Sequence, residues 1–238
     1  ILQGDIVIGL TNAPLIKSNK DGSNIWEKTY SFSQFDIGKG IIILNDTIYL
    51  LAISSNYIEY SWGGSDIIEE ITLAKIDSSG AILNTYTFYE DDVTNLKLIE
   101  SSDNNLIILS SKGYSSKIKK ISPNGNIIWE SSLANNSSKI KETSDKGFII
   151  TGANNVTKID SLGNALWVNS YPSLNNNPNQ ENGIDIINDS TFIVSGSKDV
   201  SNSFLMKTNS NGDIIWYKEF GLNYRNNLNT VSITNSGF

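Results

Sequence analysis

The stretch Phe204-Leu205-Met206-Lys207-Thr208-Asn209-Ser210-Asn211-Gly212-Asp213-Ile214-Ile215-Trp216 decides the fold. It reads as a strand, a polar turn closed by glycine, and a second strand whose bulky residues suit a half-buried pleated surface. Asn or Asp leading into Gly supplies the positive-φ turn that joins two antiparallel strands. The same order of Lys, polar turn, Gly and apolar pair occurs four times upstream. It runs from Lys17 through Gly22 to Trp26, from Lys75 through Gly80 to Asn84, from Lys120 through Gly125 to Trp129, and from Lys158 through Gly163 to Trp167. Successive glycines lie 58, 45, 38 and 49 residues apart, which brackets the roughly 40–50 residues of a four-stranded propeller blade.

Two further strands precede each hairpin after the first. Short β-branched runs at Ile48–Ile53, Leu106–Leu109, Phe148–Thr151 and Phe192–Ser195 form the second strand of a unit, and Ile41–Leu44, Leu96–Ile99 and Ile184–Ile187 supply first strands. Labelled A to D, the four strands make one blade, with the glycine hairpin joining C to D. Gly4–Leu10 reads as a B strand with no A strand before it, and Asn229–Asn235 as an A strand with no B strand after it. The expectation is an all-β, five-bladed β-propeller of four-stranded antiparallel blades. Its ring is closed by a split blade, the C-terminal strand A joining the N-terminal strands B–D. Such closure removes the open edges of a partial ring. The expected single domain, 1–238, has blade 1 at 1–32 plus 226–238, blade 2 at 37–89, blade 3 at 93–134, blade 4 at 137–171 and blade 5 at 181–221.

Composition narrows the function. A hydrophobic fraction of 39% can build a core, so global disorder is not expected. A net charge of −7 and a pI near 4.6 argue against nucleic acid and anionic membrane surfaces as partners. Cysteine and histidine are absent, which removes thiolate nucleophiles, Cys-based zinc sites and the commonest general base. No run of 18 apolar residues occurs, so no membrane insertion is expected. The chain begins at Ile1 and reads as a processed protein or an excised domain.

The Phe204–Trp216 motif resembles the bacterial SBBP-type β-propeller repeat, with its Lys-x-Asp-x-x-Gly-x-x-x-Trp core. The hairpin is also similar to pyrroloquinoline-quinone-enzyme-type propeller repeats, which end in Gly-x-x-x-Trp. All five repeats carry the resemblance, although Asn84 replaces Trp in the second. The resemblance implies a propeller and an extracellular or cell-surface setting. It implies no catalytic residues.

Propeller ligands by analogy bind over the channel mouth, on the face of the B–C loops and D-to-A connections. That face carries the long insertions of this chain. The second B–C loop, Ser55 to Glu70, holds Tyr57, Tyr60 and Trp62, an aromatic platform for a sugar or peptide. The D-to-A connections add Phe35-Asp36, Tyr89-Glu90-Asp91-Asp92 and Asn223-Tyr224-Arg225. The expected ligand-binding residues are Tyr57, Tyr60, Trp62, Asp36, Asp92, Tyr224 and Arg225, with no catalytic residue, metal or cofactor. The expected function is a non-catalytic binding or scaffold module of a secreted or cell-surface protein, with a glycan or protein ligand. One alternative is a building block of a surface layer or filament, marked by an exposed apolar patch on outer D strands. Another is a glycosidase-like hydrolase using Asp36, Asp91, Asp92 and Asp185. The same acids with Asn side chains and carbonyls could hold Ca²⁺, without the Asp-x-Asp-x-Asp spacing to support it. The hairpin tryptophans at 26, 129, 167 and 216 are expected to pack between blades, and the repeated lysines to lay their stems along the blade surface.

Overall fold

The computed structural model describes residues 10–59, 65–90, 92–133, 136–152, 155–171, 182–188, 190–197, 202–221, 228 and 230–233. Every element among them is a strand, and the strands form the blades of a five-bladed propeller. Short β1 (Leu10–Thr11) precedes β2 (Ala13–Ser18) and β3 (Asn24–Tyr30), the C–D hairpin of blade 1. Blade 2 holds β4 (Phe35–Leu44), β5 (Thr47–Glu59), β6 (Ser65–Ile76) and β7 (Ile82–Tyr89). Blade 3 holds β8 (Asn95–Glu100), β9 (Leu106–Lys112), β10 (Ser115–Ile121) and β11 (Ile127–Leu133). Blade 4 follows with β12 (Ser137–Glu142), β13 (Phe148–Gly152), β14 (Asn155–Ile159) and β15 (Ala165–Ser170). Blade 5 has β16 (Gly183–Asn188), β17 (Thr191–Ser197), β18 (Asn202–Asn209) and β19 (Ile214–Gly221). All pairings are antiparallel between chain neighbours except β1, which pairs with β4 through Leu10↔Ile37 and Thr11↔Asp36. The end of the expected first B strand thus covers part of the inner edge of blade 2.

The core is a series of layers, one at each described seam between blades. Second strands are buried on both faces, which is why they read as unbroken apolar runs rather than alternating ones. In β9, Leu106 and Ile108 face blade 2 with Leu51, Leu73 and Phe88, while Ile107 and Leu109 face blade 4 with Phe148 and Ile150. In β13, Ile149 turns the other way, to Phe192, Phe204 and Met206 of blade 5. Ile48 and Leu50 of β5 pack on Ala13, Leu15 and Tyr30 of blade 1. Each buried Leu, Ile, Phe or Met side chain contributes about 1.5–3 kcal/mol.

The repeated hairpin couples neighbouring blades. Its glycines hold φ near +80°, from 80° at Gly125 to 86° at Gly163, and the register slips by one residue beside each, as between Lys75 and Ile76. Glycine alone carries the positive φ in these turns; a polar side chain earlier in the turn caps it, as Asp77 Oδ1 does in accepting from the Ser79 and Ala81 amides. The tryptophan of one blade then reaches the turn of the next. Trp26 Nε1 donates to Ser78 O at 3.1 Å, Trp129 Nε1 to Ser161 O at 3.0 Å and Trp167 Nε1 to Ser210 O at 3.1 Å. In blade 2, where Asn84 stands in place of Trp, the ring of Tyr86 takes the post against Gly125. Tyr30 adds a bond from its hydroxyl to Gly80 O at 2.8 Å. Burial, with the charge of Asp77 behind it, pushes this phenol up to about 12, so it remains a donor.

At the channel end a second contact repeats. Ser111 Oγ of β9 donates to Ser137 O at the start of blade 4, Thr151 Oγ1 of β13 to Asn182 O before blade 5, and Ser195 Oγ of β17 to Leu228 O. Leu228 therefore occupies the place that precedes an A strand, and the described residues 230–233 continue along blade 5, where the Ile233 amide donates to Asp185 Oδ2 at 2.9 Å. This is the position of the expected A strand of blade 1. The pairing of that strand with the first B strand lies outside the described residues. The opposite end of the same seam departs from the repeat, since among the described residues no atom lies within 4 Å of a Cβ built on Gly22.

Two of the repeated lysines are not surface stems. Lys120 and Lys158 are buried, and each pairs with the aspartate of its own A–B turn: Lys120 Nζ with Asp103 Oδ2 at 2.7 Å, Lys158 Nζ with Asp145 Oδ2 at 2.9 Å. Lys17 and Lys75 instead donate to turn carbonyls of the next blade, Ser78 O and Pro123 O. The C strand ends beside the A–B turn, as Ile121 opposite Leu106 shows, so the ammonium groups of Lys120 and Lys158 end up enclosed by acceptors. Burial would raise the Asp145 carboxyl, but bonds from Thr143, Lys158 and the Gly147 amide overcome it and hold it at about 2. Asp103 is held well below the usual carboxylate range by the same balance, with Lys120 and Ser101 as donors. A folded-state pKa below the unfolded one adds stability that is complete above the unfolded value and lost as pH falls through the folded one. Thermal midpoints are therefore expected to hold above about pH 4 and fall between about pH 4 and 2. The Asp145→Asn variant should show a lower midpoint at neutral pH and a shallower acid limb.

Candidate functional site

The face of the B–C turns and D-to-A connections is built by two devices. The first is the long insertion of blade 2, which is a ribbon rather than a loop. β5 and β6 stay in register to Glu59↔Ser65, past the last partner of β4 at Ser55 and the last partner of β7 at Glu70. Backbone pairing satisfies its amides and carbonyls and keeps it extended. Tyr57 lies within it, its backbone opposite Ile67. Tyr60 and Trp62 lie outside the described residues, as do Tyr224, Arg225 and Asp91. At the ribbon base, exposed Phe35 and Ile67 meet Ser55 and Glu69 around a depression of about 210 Å³.

The second device is the cleft between blades 2 and 3, with a volume of about 280 Å³. One side is Tyr89 and Glu90, where β7 leaves blade 2; the other is the β9–β10 turn of blade 3, with Lys112, Ser115 and Lys117. Ser110, Ser111 and Ser116 close it. Tyr89 is 63% exposed at this opening. The serines beneath are rigid: Ser111 and Ser116 share a hydroxyl bond of 2.7 Å, and Ser116 Oγ accepts from the Ser137 amide at 2.8 Å. Lys119, deeper in the same seam, is buried between Glu90 and Glu130, the latter at 3.0 Å. Hydroxyls, ammonium groups and an aromatic face thus converge on one opening, a set suited to a polyol.

The expected acids serve separate posts. Asp36 is fully buried. It accepts from the Phe32 amide at 2.8 Å and the Ser33 amide at 3.1 Å with Oδ2, and from Ser33 Oγ with Oδ1. It closes a turn and presents no oxygen to a ligand, a different part from the one its position predicts. An acid two residues after the Ser31–Gln34 turn is equally well explained as a cap. Asp92, at φ 53°, is exposed and pairs with Lys112 at 2.9 Å. It therefore stands at the cleft rim. Asp185 is lowered; burial opposes, but the Ile233 and Ile186 amides and Lys141 prevail. It ties blade 4 to the terminal segment, with Lys141 Nζ at 3.3 Å. Lys112, Lys117 and Ser115 were not legible as site residues, because only blade packing sets them opposite Tyr89.

The outer strands carry one further regular feature. In three of the five blades the two residues before the hairpin tryptophan position are exposed aliphatics: Ile82 and Leu83, Ile127 and Ile128, Ile214 and Ile215. Leu166 and Ile25 extend the series on blades 4 and 1.

No protein-family profile matches the chain, and no curated protein sequence matches it. Solved structures do. A candidate 6-phosphogluconolactonase from Bacteroides fragilis aligns with TM-score 0.52 and 14% identity, over 98% of this chain and 84% of that one. The WD40 domain of Pan2 from Neurospora crassa aligns with TM-score 0.50 and 8% identity, over 92% of this chain and 65% of that one. At such identities the similarity speaks to the propeller fold alone.

Proposed function

We propose that the chain is a non-catalytic binding module of a secreted or surface-displayed protein, taking a glycan in the cleft between blades 2 and 3. The observation that carries this reading is the meeting of exposed Tyr89 with the hydroxyl- and lysine-lined β9–β10 turn around about 280 Å³. That volume sits at the small end of ligand sites, so one sugar unit enters and the rest of a chain lies along the face. The SBBP-like motif supports the extracellular setting. The separate structural posts of Asp36, Asp92 and Asp185 favour binding over hydrolysis, which needs two carboxylates facing one substrate.

A glycan array on the purified chain tests this, followed by titration with the Tyr89→Ala variant. Wild type is expected to give a saturable hit, and Tyr89→Ala to weaken it about tenfold, with the thermal midpoint within about 2 °C of wild type because an exposed side chain supports little stability. A second reading, the building block of a surface layer, is favoured by the exposed aliphatic pairs on the outer strands. A blank array together with concentration-dependent sedimentation would replace the first reading with the second.

A further inference from the structure

This inference rests on the glycan reading of the cleft and adds which glycans enter it. In β10 the alternate residues Ser115, Lys117 and Lys119 share the face that looks at blade 2, as Lys119 meeting Glu90 establishes. The register places Lys112 opposite Ser115, Ser110 opposite Lys117 and Ile108 opposite Lys119. One face of blade 3 therefore carries three ammonium groups in sequence from the rim inward: Lys112, Lys117, Lys119. The outer one is answered by Asp92 and the inner one by Glu90 and Glu130. The middle one is treated differently. Lys117 is exposed, and its cross-strand neighbours on both sides are serines, Ser110 and Ser132. Among the described residues no acidic side chain pairs with it. In a chain of net charge −7, a lysine lining a cleft and flanked by hydroxyls instead of carboxylates is a place where an anion gains a charge-assisted bond. Asp92, Glu90 and Glu130 are engaged by Lys112 and Lys119, so they repel an incoming carboxylate less than free acids would.

We infer that the cleft selects carboxylated sugars, of the uronic acid class, with Lys117 pairing to the sugar carboxylate, the neighbouring serines bonding hydroxyls and Tyr89 covering the ring. The contact is partly solvated, so its selectivity is modest and screened by salt.

The test is titration of the full chain with matched sugar pairs that differ only at C6: galactose and galacturonate, glucose and glucuronate, mannose and mannuronate, each as short oligomers. For at least one pair the acidic member is expected to bind about tenfold more tightly at low salt, with the gap narrowing at high salt. Lys117→Met should close that gap by weakening the acidic member more than the neutral one, and Lys117→Arg should restore it. Equal binding of both members, or a gap that survives Lys117→Met, overturns the selection by Lys117 and leaves the glycan reading standing. Binding of no member overturns the glycan reading, and this inference with it. Unchanged thermal midpoints in both variants keep loss of fold from imitating the expected result.

Discussion

Gly125→Ala is expected to destabilise the protein by about 2–5 kcal/mol, read as a lower urea midpoint with an unchanged slope. Two costs add. The glycine sits at φ 80°, where a Cβ meets the following carbonyl at a cost of about 1–2 kcal/mol. A Cβ there would also lie 2.0 Å from Cδ1 and 2.4 Å from Cγ of Tyr86. Because Cγ is the root of the ring, relief requires a new χ1 for Tyr86 and loss of its post on the turn, an overpacking cost of about 1–3 kcal/mol. Gly22 provides the control, since it has the same turn and φ 84° but no atom of the described residues within 4 Å of a Cβ built there. Gly22→Ala should lose only about 1–2 kcal/mol. Equal losses in the two variants would show that the contact across the blade 2–3 seam carries no weight. The double variant Gly125→Ala, Tyr86→Ala should recover part of the excess if it does.

The second large effect concerns the buried charge in that seam. Glu90→Ala is expected to lose about 2–4 kcal/mol, because it leaves the Lys119 ammonium enclosed with one acid fewer. The side chains of Lys119 and Glu90 are only 5% and 8% exposed, so water cannot replace the lost carboxylate. Glu130, at 3.0 Å and 39% exposed, keeps the loss below that of a fully stranded charge. Asp92→Ala removes an ion pair of the same types at the cleft rim, where the partners are 53% and 78% exposed. It should cost under about 1 kcal/mol. Chemical denaturation of both variants checks the contrast. Replacing Lys119 and Glu90 together by Met and Leu should return most of the stability, since no buried charge then remains.

Much of the fold was legible because its signals are local. Glycine at the hairpin, with polar residues before it and an apolar pair after it, depends only on backbone sterics and strand pairing over a dozen residues. The continuous apolar character of Phe148–Thr151 or Leu106–Leu109 likewise reports burial on both faces without any knowledge of the partner. The Ser55–Glu70 insertion was misleading for a related reason. Tyr57, the Ser and Asn around it and the glycines at 63 and 64 read as a loop, whereas cross-strand bonds hold most of it as a ribbon. The lysines of the C strands misled in another way. An alternating Lys looks solvated unless the aspartate of a turn 13 or 17 residues upstream is known to fold over it.

The candidate site was the least legible part. Its face could be named from where insertions fall, but Asp36 was consumed by its own turn, and Tyr89 and Lys117 belong to different blades. Sequence by itself determined the strand hairpins, their five-fold count and the apolar runs buried within each blade, because these follow from dihedral preference and periodicity along one stretch of chain. Tertiary structure alone decided which ammonium groups are buried, which acids are spent and which side chains share the cleft. Those outcomes depend on how adjacent blades dock, and docking brings together groups whose only relation in the sequence is distance.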